Sequence, residues 1–344
     1  MPDFQPTDPV NRRVVLQSRP HGEPATTNFR LETAPVPQVN EGEVLRRTLY
    51  LSLDPYMRGR MSEAASYASP APLNQPMVGA TVSQVVQSRN SAFDVGDYIV
   101  GYDGWQDYGV SDGGGLRKLN PADGPLSYAL GVLGMPGLTA YAALLDIGKP
   151  QAGETVVVSA AAGAVGSVVG QIAKIKGCRA VGLAGTDAKC RFVTGTLGFD
   201  ACINYRDGSL AEALQAACPQ GIDIYFDNVA GEILEAVLGQ INLGARIPLV
   251  GLISQYNAAK LPPGPNLMPL LVRRALIQGF LVGDHVSRQE AFRADMTNWL
   301  QTGQVIYQEQ IVEGLENAPE AFLGLFTGQN TGKLLVRVSP DPHC

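Results

Sequence analysis

Apolar and polar positions alternate in two different rhythms along the chain. Up to about residue 128 the apolar stretches are short, at 13–17, 43–53, 78–87 and 98–101, and Pro and Gly punctuate them, as in Val36-Pro37 and Val95-Gly96-Asp97. Short strands at that spacing predict a β-barrel or sandwich. From about residue 129, strand-like runs alternate with helical ones. Residues 156–158 are three valines and predict a buried parallel strand. Val165, Val168, Val169, Ile172 and Ala173 then recur at the spacing of one helix face. Further strands are predicted at 179–184, 201–205, 222–227, 246–251 and 277–282, with helices at 189–197, 209–217, 232–241 and 288–302. This alternation predicts a doubly wound parallel sheet. Pro248 falls inside the fifth strand, and a proline cannot donate to a ladder, so that strand is expected to start after it or to be irregular there. Residues 310–312 and 333–338 are β-like again and should return to the first domain. The predicted fold class is α/β, with a β-barrel domain over 1–128 and 306–344 and a Rossmann domain over 129–305.

The first strand of the second domain leads to its helix through Ala161-x-Gly163-x-x-Gly166. Strand, small-residue turn and helix together form a seat for the pyrophosphate of a dinucleotide. Gly163 lets the backbone approach the phosphates, Gly166 lets the helix approach the strand, and the helix N-terminus offers free N–H groups. Ala161 replaces the first glycine of the fingerprint. The next strand ends at Ala184-Gly185-Thr186, with no carboxylate at the tip. NAD-binding units place an acid there to hold the ribose hydroxyls. Gly185 and Thr186 leave room for a 2′-phosphate, and Lys189 reaches it as a point charge. Arg206 is another candidate cation. Asp187 points the other way and is read as the N-cap of the following helix. The pattern favours NADP(H) over NAD(H).

Composition narrows the partners. A net charge of −6 argues against nucleic acid and anionic membranes. Residues 128–145 carry no charge over a length that could span a bilayer, but Gly131, Gly134, Pro136 and Gly137 interrupt them. They are read as buried segments around a Pro-Gly turn. The first ten residues hold no apolar run, so no secretory signal and a cytoplasmic location are expected. The five cysteines contain no CxxC pair and are read as reduced thiols. With three histidines and no Cys/His cluster at ligand spacing, no metal is expected.

Several motifs resemble one family. SLDPYMRGRM (52–61), GMPGLTAY (134–141), AAAGAVGS (160–167), FDNVAG (226–231), SQYN (254–257) and LPPGPN (261–266) are similar to the prostaglandin reductase / leukotriene B4 12-hydroxydehydrogenase group of the medium-chain dehydrogenase/reductase superfamily. Plant alkenal double-bond reductases and bacterial curcumin reductases belong to that group. YQEQIVEGLENAPEAF and GQNTGK, near the C-terminus, extend the resemblance over nearly the whole chain. It implies a GroES-like barrel before the Rossmann domain, and zinc-independent, NADPH-dependent reduction of the C=C bond of a small hydrophobic enone or enal. Zinc-dependent relatives carry Gly-His-Glu where this chain has Val78-Gly79-Ala80.

The resemblance also implies roles. Lys189 and Tyr205 meet the 2′-phosphate, with Gly185 and Thr186 beside it. Ala162, Gly163, Ala164, Val165 and Gly166 line the pyrophosphate. Asn228, Gly251, Ile253, Val282 and Asn330 contact the cofactor, and Thr139 lies by the nicotinamide. Tyr205 as a strand-end residue, Asn228 as an Asx turn and Asn330 as a loop cap are the plain alternatives. Tyr50, Tyr56, Met135 and Tyr256, with the 262–266 loop, are expected to supply an apolar substrate pocket. The loop at 282–285, with Gly283 as hinge, is read as a cover for it. A homodimer joined through the sixth strands is implied as well.

Hydride transfer to the β-carbon builds negative charge on the carbonyl oxygen, which needs a donor in a water-poor site. Tyr256 is assigned that role, together with the cofactor's ribose 2′-hydroxyl. Two alternatives stay open: a quinone reductase of the same fold, and a non-catalytic NADPH-binding protein, since a Rossmann site does not demand chemistry.

Overall fold

The computed structural model describes residues 10–260 and 262–343. Residues 1–9, where no secretory signal is expected, Leu261 at the head of LPPGPN, and Cys344 lie outside the described residues. The chain divides into two compact units. One takes the chain up to Leu130, Gln310–Gln329 and the segment from Leu334; the other takes Gly131–Glu309 and Asn330–Lys333.

The first unit is built on antiparallel strands. β1 (Val10–Leu16) pairs with β2 (Phe29–Pro35). β3 (Val44–Ser52) pairs with β4 (Thr81–Ser88) and with β6 (Tyr108–Ser111), β4 with β5 (Tyr98–Gly101), and β5 with β7 (Arg117–Leu119). The SLDPYMRGRM stretch turns into a short helix, α1 (Met57–Arg60). Phe29 stacks on Trp105 with ring centroids 5.3 Å apart, and Phe322 meets Trp105 edge-on at 5.8 Å. Gly79 lies so close to this cluster that a Cβ would stand 2.7 Å from Leu51 Cδ1. One ion pair is sealed inside the unit. Arg46 bonds Asp103, and both side chains are under 5% exposed. Thr81 and Ser83 hydroxyls donate to Asp103 at 3.3 and 3.2 Å, and Arg46 Nη1 donates to Ser111 Oγ at 2.6 Å.

The second unit opens with α2 (Met135–Ala142), continued by a π-helical turn at Ala143–Gly148. Pro136-Gly137 is therefore the first turn of a helix and not a turn between two segments. Proline suits that place, because its missing N–H would have no partner there. The strands and helices then alternate: β8 (Thr155–Val158), α3 (Gly166–Ile175), β9 (Arg179–Ala184), α4 (Asp187–Gly195), β10 (Ala201–Asn204), α5 (Leu210–Ala217), β11 (Ile222–Phe226), α6 (Gly231–Leu238), β12 (Ile241–Leu249), α7 (Met268–Arg273), β13 (Leu276–Gly279) and α8 (Gln289–Gln301). The strands form one parallel sheet in the order β10-β9-β8-β11-β12-β13. Val168, Val169, Ile172 and Ala173 on α3 are fully buried, as their spacing predicts. β14 (Glu309–Glu313), α9 (Ala318–Thr327) and β15 (Lys333–Arg337) complete the chain. β15 pairs antiparallel with β3 and has β14 on its other side, so these strands extend the sheet of the first unit.

Three local expectations change. β12 does not wait for Pro248: it begins at Ile241, and the Pro248 carbonyl accepts from Asp227 N–H at 3.0 Å. The irregularity lies earlier, where the β11–β12 register shifts between Ile222 and Ile224. The sixth strand is short and exposed along its length, and residues from Val282 onward coil into a 3-10 helix. The cap of α4 is Thr186, whose backbone is extended and whose hydroxyl oxygen accepts from Lys189 N–H at 3.3 Å; Asp187 is the first helical residue. No helix among the described residues is long and apolar enough to cross a membrane. Cys178, Cys190, Cys202 and Cys218 are free, and burial pushes the Cys178 and Cys218 thiols up to about 11, so both stay neutral and unreactive.

Removing one member of a sealed ion pair strands the other in a dry interior. Asp103→Ala is expected to cost about 3–5 kcal/mol, read from the shift in the urea unfolding midpoint. A loss under about 1 kcal/mol, the size found for surface pairs, would show that water reaches Arg46.

Candidate active site

The strand order of the parallel sheet reverses between β8 and β11, and crevices at such switch points hold ligands at the carboxyl ends of the strands. Ser159 and Ala160 follow β8. Ala160 takes the left-handed conformation, φ +51°. The special backbone position therefore falls on Ala160, and Ala161 can replace the fingerprint glycine. Gly182 on β9 makes room for it: a Cβ there would lie 2.8 Å from the Ala161 methyl. A Cβ on Gly163 would lie 3.1 Å from the Ala160 carbonyl oxygen, and one on Gly166 only 2.4 Å. Only glycine lets α3 start this close to the strand end. Ala164 lies within this turn, and Val165 opens α3 as its N-cap residue. Residues 330–333 cross the same turn. Gly332 N–H donates to the Ala162 carbonyl at 2.7 Å, and Asn330 Nδ2 donates to the Gly332 carbonyl at 3.0 Å. Asn330 thus caps its own loop, and that loop lies on the glycine turn.

The tip of β9 forms a second pocket wall. A Cβ on Gly185 would lie 2.9 Å from the Tyr205 hydroxyl and 3.3 Å from Arg206 Nε. The Arg206 guanidinium stands 5.9 Å from the centre of the Tyr205 ring. Burial, and then the charge of Arg206, lower the proton affinity of Lys189. Two cations held together ask for an anion between them. Among the described residues no carboxylate pairs with Arg206, and Asp187 is taken up by Asn204 Nδ2 at 2.9 Å.

The end of β11 faces the same crevice. Asn228 N–H donates to Ser159 Oγ, and Asn228 Nδ2 to the Ser159 carbonyl, both at 2.8 Å. Gly251 N–H donates to the Asp227 carbonyl at 3.2 Å, and Ile253 N–H to the Asn228 carbonyl at 3.4 Å. A Cβ on Gly251 would sit 3.0 Å from the Asn228 carbonyl oxygen. Tyr256 lies on this loop. Its hydroxyl oxygen accepts from Leu252 N–H at 3.3 Å, and burial raises its proton affinity against the opposing pull of that bond. A phenol held this way keeps its own proton available to donate. Asn228, Gly251, Ile253 and Tyr256 are thus brought together.

The other expected residues have these surroundings. Thr139 is buried on α2 and donates its hydroxyl to the Met135 carbonyl at 2.8 Å, one helical turn back. Val282 is half-buried at the start of the segment Val282–Arg288. That segment is not a free loop: His285 and Arg288 both reach Asp146, each at 3.3 Å, and His285 stacks on Phe280 at 4.5 Å. Residues 262–264 are exposed. In the first unit Tyr56 is half-buried at the head of α1, with its hydroxyl proton held tightly by burial and by the nearby Asp54. Tyr50 corrects the expectation of a pocket residue. It is 1% exposed and its hydroxyl bonds Asp341 at 3.0 Å, so it belongs to the core. Sequence reasoning missed Ser159, Asp227 and Gly332. A signal was present for the first two, since each is a polar residue directly after a wholly apolar strand end.

The chain was compared with known proteins. A family model described as the N-terminal domain of oxidoreductase matches residues 12–119, and one described as zinc-binding dehydrogenase matches residues 164–302. NADPH-dependent curcumin reductase of Escherichia coli is 52% identical over 96% of this chain and 98% of the relative. Prostaglandin reductase 1 of Rattus norvegicus is 47% identical over 94% of this chain and 98% of the relative. This chain belongs to the zinc-independent reductase group of the medium-chain dehydrogenase/reductase superfamily. A crystal structure of CurA in complex with NADPH from Vibrio vulnificus superposes with a TM-score of 0.92, at 52% identity, over 96% of this chain and 100% of that one. In this medium-chain reductase the parallel sheet is the Rossmann sheet of the superfamily, and the chain is an oxidoreductase. Despite the zinc in the name of the second matching family, no group of three or more His, Cys, Asp or Glu among the described residues could hold a metal ion.

Proposed function

We propose that this protein uses NADPH to reduce the carbon–carbon double bond of small hydrophobic α,β-unsaturated ketones or aldehydes. The observation that carries the reading is the half-buried Tyr256 side chain at the switch-point crevice, its hydroxyl oxygen held by Leu252 N–H so that its own proton is free to be given. The names of the similar proteins, curcumin reductase and prostaglandin reductase, support the substrate class.

The residues present fit NADPH. The Gly163–Gly166 turn leaves backbone where a Cβ would clash, which suits a pyrophosphate. Lys189, Tyr205 and Arg206 gather two cations and a hydroxyl at the tip of β9, which suits a 2′-phosphate. Asn228, Gly251 and Ile253 line the path between, and the loop capped by Asn330 closes over the glycine turn. When bound, the cofactor supplies a hydride. The protein must then stabilise the charge developing on the substrate's carbonyl oxygen, and Tyr256 donates its hydroxyl proton to that oxygen in a hydrogen bond. Burial raises the phenol's proton affinity above its ordinary value, so the donor keeps its proton through the neutral range.

The same reading includes a homodimer. Along β13 all residues are exposed, and α7 beside it shows Met268, Leu271 and Val272 to solvent, with Leu271 73% exposed. An open strand edge flanked by apolar side chains is a surface that a second copy of the chain can cover.

Three outcomes are expected. Tyr256→Phe should lower kcat for an enone by about two to three powers of ten, with NADPH affinity little changed. An unchanged kcat would remove Tyr256 from the chemistry, and quinol formation without enone reduction by the wild-type enzyme would assign it as a quinone reductase. Lys189→Ala should raise the KM for NADPH about tenfold or more while leaving NADH within twofold, and equal losses would refute the 2′-phosphate assignment. Leu271→Asp should convert a dimer to a monomer in light scattering; a wild-type monomer would end that part of the reading.

A further inference from the structure

Asp227 is wholly buried directly after β11, next to residues assigned to the cofactor. Its Oδ1 accepts from the Tyr225 hydroxyl at 2.8 Å, from Val229 N–H at 2.9 Å, from Ala230 N–H at 2.8 Å and from the Ser159 hydroxyl at 3.3 Å. Among the described residues its Oδ2 has no hydrogen-bond partner. A carboxyl group in such a place is costly, and an apolar residue of similar size would avoid the cost. The bonds it makes show what the group does there. Ala230 has φ +62° and ψ −150°, a conformation that side-chain-bearing residues rarely adopt. An alanine brings nothing of its own to hold that conformation, and the two N–H bonds to Asp227 span the turn.

The same turn positions the crevice. Asn228 docks on Ser159 through both its backbone N–H and its side chain. The Asp227 carbonyl accepts from Val250 N–H at 2.8 Å and from Gly251 N–H at 3.2 Å, and the Asn228 and Val229 carbonyls accept from Ile253 and Ser254 N–H. The loop that carries Tyr256 is therefore registered on residues 227–229.

We propose that Asp227 is a positioning residue: its carboxyl group clamps the 228–230 turn with Ala230 at positive φ, and so sets where Asn228 and the Tyr256 loop stand in the crevice. This rests on the reading of that crevice as the NADPH site. Two properties follow. Weakening the clamp should loosen cofactor binding and slow turnover together, because it moves a cofactor residue and the proton donor at once. A glycine at position 230, which takes positive φ unaided, should make the clamp partly dispensable.

The test uses the full-length chain, NADPH titration by fluorescence, and steady-state kinetics with an enone. Asp227→Ala, which removes the accepting oxygen, is expected to raise the NADPH Kd about tenfold and lower kcat about tenfold. Ala230→Gly alone should stay within twofold of wild type in both. Adding Ala230→Gly to Asp227→Ala should recover at least half of each loss on a logarithmic scale, whether or not the melting temperature recovers. A purely stabilising role predicts the opposite, with melting temperature lowered and both constants unmoved, and that result overturns the proposal. So does a loss that Ala230→Gly does not repair. Should Asp227→Ala fail to fold, Tyr225→Phe removes one donor from the same oxygen and must show a smaller shift in the same direction; no shift overturns the proposal. Wild-type protein that binds NADPH but reduces no enone defeats the functional reading alone, since the Kd series still tests the clamp.

Discussion

The second unit depends on one close approach: α3 begins within van der Waals reach of the carbonyl of Ala160. A single added methyl at Gly166 would fall 2.4 Å from that oxygen. Because the helix starts there, its free N–H groups face the mouth of the crevice. The Ala160 backbone turns left-handed just before the turn, and the strap at 330–333 bonds the Ala162 carbonyl through Gly332 N–H. Moving the helix outward by an ångström would separate all three. The sheet below it is less demanding, since its apolar strands would tolerate many substitutions of similar volume.

The two units handle buried charge in different ways. In the first, Arg46 and Asp103 neutralise each other and three hydroxyls satisfy what remains. In the second, the Asp227 carboxyl has no cation against it. Backbone N–H groups and two hydroxyls take its place, and burial holds its proton affinity above the usual carboxylate value. The first arrangement is symmetrical and holds strands together. The second is one-sided and holds a turn.

Periodicity made most of this legible. The three valines of β8, the one-faced helix α3 and the strands that follow came from spacing alone, because buried parallel strands and amphipathic helices leave strong, local patterns. The failures were of other kinds. Pro248 looked like a strand breaker, but the register shift at the start of β12 is a property of two strands and has no local mark. Pro136-Gly137 looked like a turn, since proline starts helices and interrupts them with the same letter. Tyr50 looked available in a turn-rich stretch, whereas its partner Asp341 lies near the other end of the sequence. Thr186 and Asp187 are both good caps, and only the backbone angles choose between them. The candidate site was legible where glycines and cations cluster, and hidden where buried polar atoms such as those of Ser159 and Asp227 hold its turns together.

The strap from Asn330 to Lys333 has a consequence in time. The glycine turn, its helix and the tip of β9 are all encoded before residue 210, yet the bond from Gly332 to Ala162 waits for a segment close to the C-terminus. A chain emerging from the ribosome can assemble the parallel sheet early, and with it a partial cradle. That contact forms only once the chain has been made as far as residue 332. Closure of the strap over the glycine turn thereby reports that both units have largely been synthesised, and a copy cut short before residue 330 would carry the sheet without its strap.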